Sequence, residues 1–169
     1  TDYFPDCWNG KHFLWKLWLL KETCASVQEG FPVIYLDTGV TFCRWPKAQT
    51  KAQPSSKDQR GWLQIVKEEG LAFIEDVVHD NRHMCSKTFV ELMNLTESEL
   101  NSTQLWAGSI AFLAGHPLPT SLFEEAFVLG QNPKIIVGEK WLGVDAEKKP
   151  FGHRHDQSIL SVLSLRKGI

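Results

Sequence analysis

The chain has 169 residues, 43% of them hydrophobic and 22% charged, which fits one globular domain and excludes a disordered tail or a collagen-like rod. Its formal net charge of −2, with basic residues scattered rather than clustered, argues against nucleic acid as a partner. The apolar stretch at residues 13–20 is interrupted by Lys16 and is too short to span a bilayer, so no transmembrane segment is expected.

Residues 11–29 carry a helical pattern, with Leu14, Leu17, Trp18 and Cys24-Ala25 on one broad face, closed by Gly30. The unbroken apolar run Val33-Ile34-Tyr35-Leu36 then predicts a strand buried on both faces, as in a parallel sheet covered by helices. Residues 47–59 read as a polar surface loop. A helix is predicted over 62–69, ended by Gly70, with a strand at 71–74 and a short helix over 87–95. The apolar segment 105–113 predicts a second buried strand, with Gly108 inside it. A helix over 121–129, a short strand at 134–137, a loop over 138–152 and an amphipathic helix over 156–167 complete the chain. Strands alternating with helices indicate an α/β fold in a single domain.

Three places have the composition of a site. Asp37 follows the first apolar run directly, where open α/β sheets bind ligands beyond the carboxyl ends of their strands, and Gly39 permits close backbone approach. An aspartate that merely starts a turn is an equal alternative. Lys87, Gln104 and Gly108 form a weaker set; a glycine within an apolar strand usually marks a bulge or a close backbone contact. The richest stretch is His153-Arg154-His155-Asp156-Gln157-Ser158, set just before an apolar helical stripe. Asp156 or Ser158 there serves as a helix cap on a purely structural reading. Two histidines and an arginine exceed what a cap requires, and a helix N-terminus favours anions.

These segments resemble glycosyltransferases of the GT-A fold. The resemblance rests on Ile34-Tyr35-Leu36-Asp37-Thr38-Gly39, then Gln104-Leu105-Trp106-Ala107-Gly108-Ser109-Ile110, then His153-Arg154-His155-Asp156-Gln157-Ser158-Ile159-Leu160, an order similar to that of glycogenin-like transferases. It covers residues 11–167. It implies a mostly parallel, Rossmann-like sheet flanked by helices, a nucleotide-diphosphate sugar as donor, and a glycan or other hydroxyl acceptor. It further implies Asp37 near the donor diphosphate and its Mn²⁺ or Mg²⁺, with Gly39, Lys87, Gln104, Ala107, Gly108 and His155 contributing to donor binding. Asp156 and Gln157 would face the reacting centre, the carboxylate as general base or as a support for positive charge on the sugar ring.

Gly39 stands where the second acid of an Asp-x-Asp pair is usual. The strand-helix-strand region that ordinarily holds the nucleotide base is expected to come from another segment or another chain, unless the domain is an inactive relative that serves as a binding or assembly component. His79, His83, His153 and His155 offer a zinc alternative. Cys7, Cys24, Cys43 and Cys85 lack close pairing and read as free thiols. With no targeting pattern, that points to the cytoplasm; the sequons at Asn94 and Asn101 would suit a secretory lumen instead.

Overall fold

The computed structural model describes residues 13–40, 61–137 and 153–169. Their elements are α1 (Leu14–Ser26), β1 (Pro32–Leu36), α2 (Trp62–Glu69), β2 (Leu71–Asp80), α3 (Asn81–Met84), α4 (Lys87–Met93), α5 (Glu97–Leu100), β3 (Thr103–Leu113), α6 (Pro117–Gly130), α7 (Pro133–Ile136) and α8 (Asp156–Arg166). The chain is α/β: a small three-stranded sheet, ordered β1-β3-β2, lies between helices. Among the described residues no helix is long and apolar enough to cross a membrane.

Alternation along β3 sets the layers, because successive strand side chains point to opposite faces. Ile110 and Phe112 join the main core, together with Leu17 of α1, Phe123 of α6 and Ile159 of α8. Ala111 instead joins a smaller cluster with Val66 of α2 and Ala72 of β2. Helices therefore cover both faces, and the cross-strand partners agree: Tyr35 and Phe73 both stand opposite Ile110, Val33 and Leu71 opposite Phe112. Phe112 and Phe123 meet edge-on with ring centres 5.0 Å apart, a favourable aromatic geometry at the middle of the core.

Three expectations are corrected. The sheet anticipated as mostly parallel is antiparallel in both of its hydrogen-bonded pairs. An unbroken apolar run reports that helices cover both faces of a strand; it carries no information on the direction of the neighbouring strand. Nor is β1 fully enclosed, since Ile34 is 43% exposed. The predicted strand at 134–137 is a turn of helix, α7, because Pro133 opens it without needing an N–H and the Asn132 side chain accepts from the Lys134 N–H. Pro117 likewise starts α6, four residues before the predicted onset, with His116 Nδ1 accepting from the Leu118 N–H.

The other predicted elements recur with shifted ends. Helix α2 has the predicted bounds and closes on Gly70 at φ 82°; a Cβ there would fall 2.2 Å from the His116 ring, so glycine is needed both for the turn and for the contact. Strand β2 runs on from the predicted 71–74 to Asp80. Cys24 and Cys85 are buried free thiols, and burial pushes Cys85 up to about 12. The predicted loops at 47–59 and 138–152, with Cys7 and Cys43, lie outside the described residues.

Candidate functional site

The pairing of β2 with β3 slips where the site lies. Phe73 stands opposite Ile110, yet the next residue, Ile74, stands opposite Trp106. The intervening Ala107-Gly108-Ser109 thus bulges relative to β2, as a glycine within an apolar strand suggests. A Cβ on Gly108 would lie 2.7 Å from the Trp106 indole, so the bare glycine lets that ring fold over the bulge. On the other side, the Asp37 N–H donates to the Gly108 carbonyl at 2.9 Å, fixing the end of β1 against the bulge. Asp37 also begins a turn, its carbonyl accepting from the Val40 N–H. The turn reading of this residue is thus met by its backbone.

A cleft of about 510 Å³ opens there. Its floor is the bulge, with Trp106, Ala107 and Gly108; Phe13 and Lys16 come from the start of α1, Asp37 from the end of β1, and His153 to Gln157 from the N-terminal approach to α8. Helix α8 begins without a side-chain cap, and its N-cap residue His155 takes φ 49° and ψ −116°, a costly conformation for a non-glycine residue. Asp156 is thus not the cap. Ser158 Oγ instead accepts from the Arg154 N–H and donates to the Met84 carbonyl, tying the approach to α3.

At the centre lies Lys16, whose side chain is 3% exposed. Its Nζ is 3.2 Å from Asp37 Oδ1, 3.0 Å from Asp156 Oδ2 and 3.4 Å from the Ala107 carbonyl oxygen. The Phe13 ring centre lies 4.9 Å from the same ammonium. Lys16 pairs with Asp156 Oδ2, an enclosed oxygen that has no other donor among the described residues. Burial raises Asp156 to about 6 against the opposing pull of Lys16. Asp37 is more open, its side chain 38% exposed, and Tyr35 donates its hydroxyl to Asp37 Oδ1 at 2.5 Å. Burial, then that hydrogen bond, raises the Tyr35 phenol.

The histidines are structural in their bonding. Burial, reinforced by the neighbouring His155, lowers His153 to about 4. Its Nε2 lies 2.8 Å from the Ile135 carbonyl oxygen and so carries the hydrogen, leaving Nδ1 to accept from the Ser86 N–H. His155 Nδ1 donates to the Ile136 carbonyl at 2.7 Å, and burial lowers its pKa as well. His79 and His83 pair with Asp76 and Asp80, and among the described residues no group of three or more His, Cys, Asp or Glu side chains has metal-holding geometry.

The predicted site residues therefore divide. Asp37, Ala107, Gly108, His155, Asp156 and Gln157 line one cleft. Gln104 is fully buried behind it: its Oε1 accepts from Gln157 Nε2 at 2.9 Å, and its amide nitrogen points to Asn81, Ser158 and Cys85. It can orient Gln157 but does not face the cleft. Gly39 is exposed in the turn and Lys87 pairs with Glu91 on the surface of α4; neither lines the cleft. Phe13, Lys16, Trp106, His153 and Arg154 complete the lining; His153 and Arg154 belong to the polar stretch singled out in the sequence, whereas Phe13, Lys16 and Trp106 were not among the predicted site residues. Lys16 left one signal in the sequence, a charge at the helical spacing of Phe13, Leu17 and Leu20, on the face turned to the core.

The Mn²⁺ or Mg²⁺ implied by the resemblance fits this donor set poorly. Divalent cations of this kind take several oxygen ligands at roughly 2.0–2.2 Å, and Asp37 already holds Lys16 and the Tyr35 hydroxyl. A cation there would press against a buried ammonium, and Gly39 supplies no second carboxylate. Comparison of the chain with family models, curated proteins and solved structures finds no match.

Proposed function

We propose that this chain is a glycosyltransferase domain that moves a sugar from a nucleotide-diphosphate donor to a hydroxyl of a glycan or other acceptor. One observation carries the reading: Asp37, after the first strand, and Asp156, opening the last helix, line the same cleft on either side of Lys16.

The chemistry follows from the lining. The donor sugar lies against the Ala107-Gly108 bulge, where the Trp106 indole folded over Gly108 offers an apolar face. The acceptor hydroxyl donates to the Asp156 carboxylate, whose side chain is 5% exposed at the cleft wall. As the acceptor oxygen bonds to the anomeric carbon, its proton passes to that carboxylate, and the bond from the anomeric carbon to the diphosphate oxygen breaks, its electron pair leaving with the nucleoside diphosphate. A carboxylate with a pKa of about 6 is ionised at neutral pH yet basic enough to take part of that proton. Gln157, oriented by Gln104, adds an amide to hold a sugar hydroxyl.

A second reading has one observation in its favour. Both carboxylates already share a buried counter-ion, which suits an inactive domain kept for binding or assembly. A panel of nucleotide sugars separates the two: the transferase releases nucleoside diphosphate from at least one donor by slow hydrolysis. No release from any donor favours the assembly role.

A further inference from the structure

We infer that Lys16 is the resident cation of this cleft, offsetting one of the two carboxylate charges of Asp37 and Asp156 at the place a divalent metal ion would take, and that Arg154 supplies the second positive charge and makes the contact to the donor diphosphate. The inference rests on the transferase reading and specifies how that site handles charge. Two carboxylates in one cleft repel a diphosphate unless a cation stands between them. Lys16 Nζ takes that place, within 3.2 Å of an oxygen of each. The bulge adds a further acceptor, the Ala107 carbonyl, so the ammonium is bonded on several sides from within the fold.

Lys16 is carried on α1, a helix fixed to the core by Leu14, Leu17 and Leu20, and is therefore placed before any ligand arrives. Being almost wholly buried, it neutralises but offers little surface to a ligand. Arg154 has the complementary situation. It lies on the cleft wall, it is exposed, and among the described residues its guanidinium has no ion-pair partner. A planar guanidinium beside the first turn of α8 can grip two phosphate oxygens at once. With His153 and His155 held neutral by burial, the cationic side chains described in the lining are Lys16 and Arg154.

The test is calorimetric titration of the chain with uridine, guanosine, adenosine and cytidine diphosphate, once in EDTA and once in Mn²⁺. The expected result is binding of at least one diphosphate in EDTA, with a Kd that changes by less than about twofold in Mn²⁺. Arg154→Gln should weaken that binding by about tenfold or more, the loss expected for a charge-assisted bidentate contact. Binding that requires Mn²⁺ would overturn the metal-free assignment while leaving the transferase reading in place. Unchanged affinity in Arg154→Gln would overturn its role. No binding in either buffer would overturn both this inference and the reading it rests on. Spin-resonance titration with Mn²⁺ alone needs no variant at Lys16: the wild-type chain should leave the ion free, and a bound ion displaced by Asp37→Asn would contradict the inference.

Discussion

Lys16 Nζ lies 3.0 Å from Asp156 Oδ2, joining the first described helix to the last across a cleft that neither would form alone. The same ammonium reaches Asp37 at the end of β1, so one side chain fixes three elements. Removing one partner from a buried ion pair leaves the other charge stranded, typically at about 3–5 kcal/mol.

That cost predicts a specific coupling. Lys16→Met should destabilise the fold by about 3 kcal/mol or more, because Asp156 is left buried and unpaired. Neutralising that acid in Lys16→Met/Asp156→Asn should restore a substantial part of the loss. Denaturant unfolding of both single variants and the double variant measures the coupling. Strictly additive losses would show that the two groups do not interact.

The pH dependence of stability contains two opposed contributions near this cleft. His153 falls from about 6.5 to about 4 on folding, so its contribution is complete above pH 6.5 and is lost as the pH drops toward 4. Asp156 rises from 3.8 to about 6, so its contribution is complete below 3.8 and is lost as the pH climbs through 6. Each shift corresponds to about 3 kcal/mol and the two oppose one another between pH 4 and 6. His153→Gln, which keeps a donor toward the Ile135 carbonyl, should make stability fall with rising pH across that window. Asp156→Asn should make it rise, with His155 acting on the same side as His153. Thermal melts from pH 4 to 6.5 reveal the signs, and slopes of equal sign in both variants would refute these assignments.

A third prediction concerns the bulge. Gly108→Ala brings a methyl group within 2.7 Å of the Trp106 indole, which must turn aside. Because that ring is 38% exposed, the fold should lose only about 1 kcal/mol, whereas the ring's place in the cleft wall changes. Nucleotide-sugar affinity should fall more than affinity for the nucleoside diphosphate, with only a small drop in unfolding midpoint; unaltered nucleotide-sugar affinity would place the bulge outside the binding surface.

Particular residues show how far the sequence led. The helical stripe of Ile159, Leu160 and Leu163 and the run before Asp37 were enough to place α8 and β1, since periodicity and apolar runs are local signals. Sheet direction was not local: β1 pairs with β3, and nothing in Val33 to Leu36 encodes which way β3 runs. The meeting of Asp37 with Asp156 followed from the expectation of one shared cleft, but Lys16 between them was passed over as a mere interruption of an apolar stretch. Its burial becomes apparent only once α1 is packed against both acids. The resemblance implies Gln104 near the donor; its side chain turns inward to Asn81 and Ser158, partners that only the folded chain brings near.

The proposed chemistry turns on Asp156, and the most direct measurement compares nucleotide-sugar turnover by the wild-type chain and by Asp156→Asn. The wild-type chain should release nucleoside diphosphate from at least one donor, and the variant should be slower by about 10²–10⁴-fold, the usual contribution of a general base, while still unfolding cooperatively. Equal rates in the two proteins would remove Asp156 from the chemistry and contradict the account.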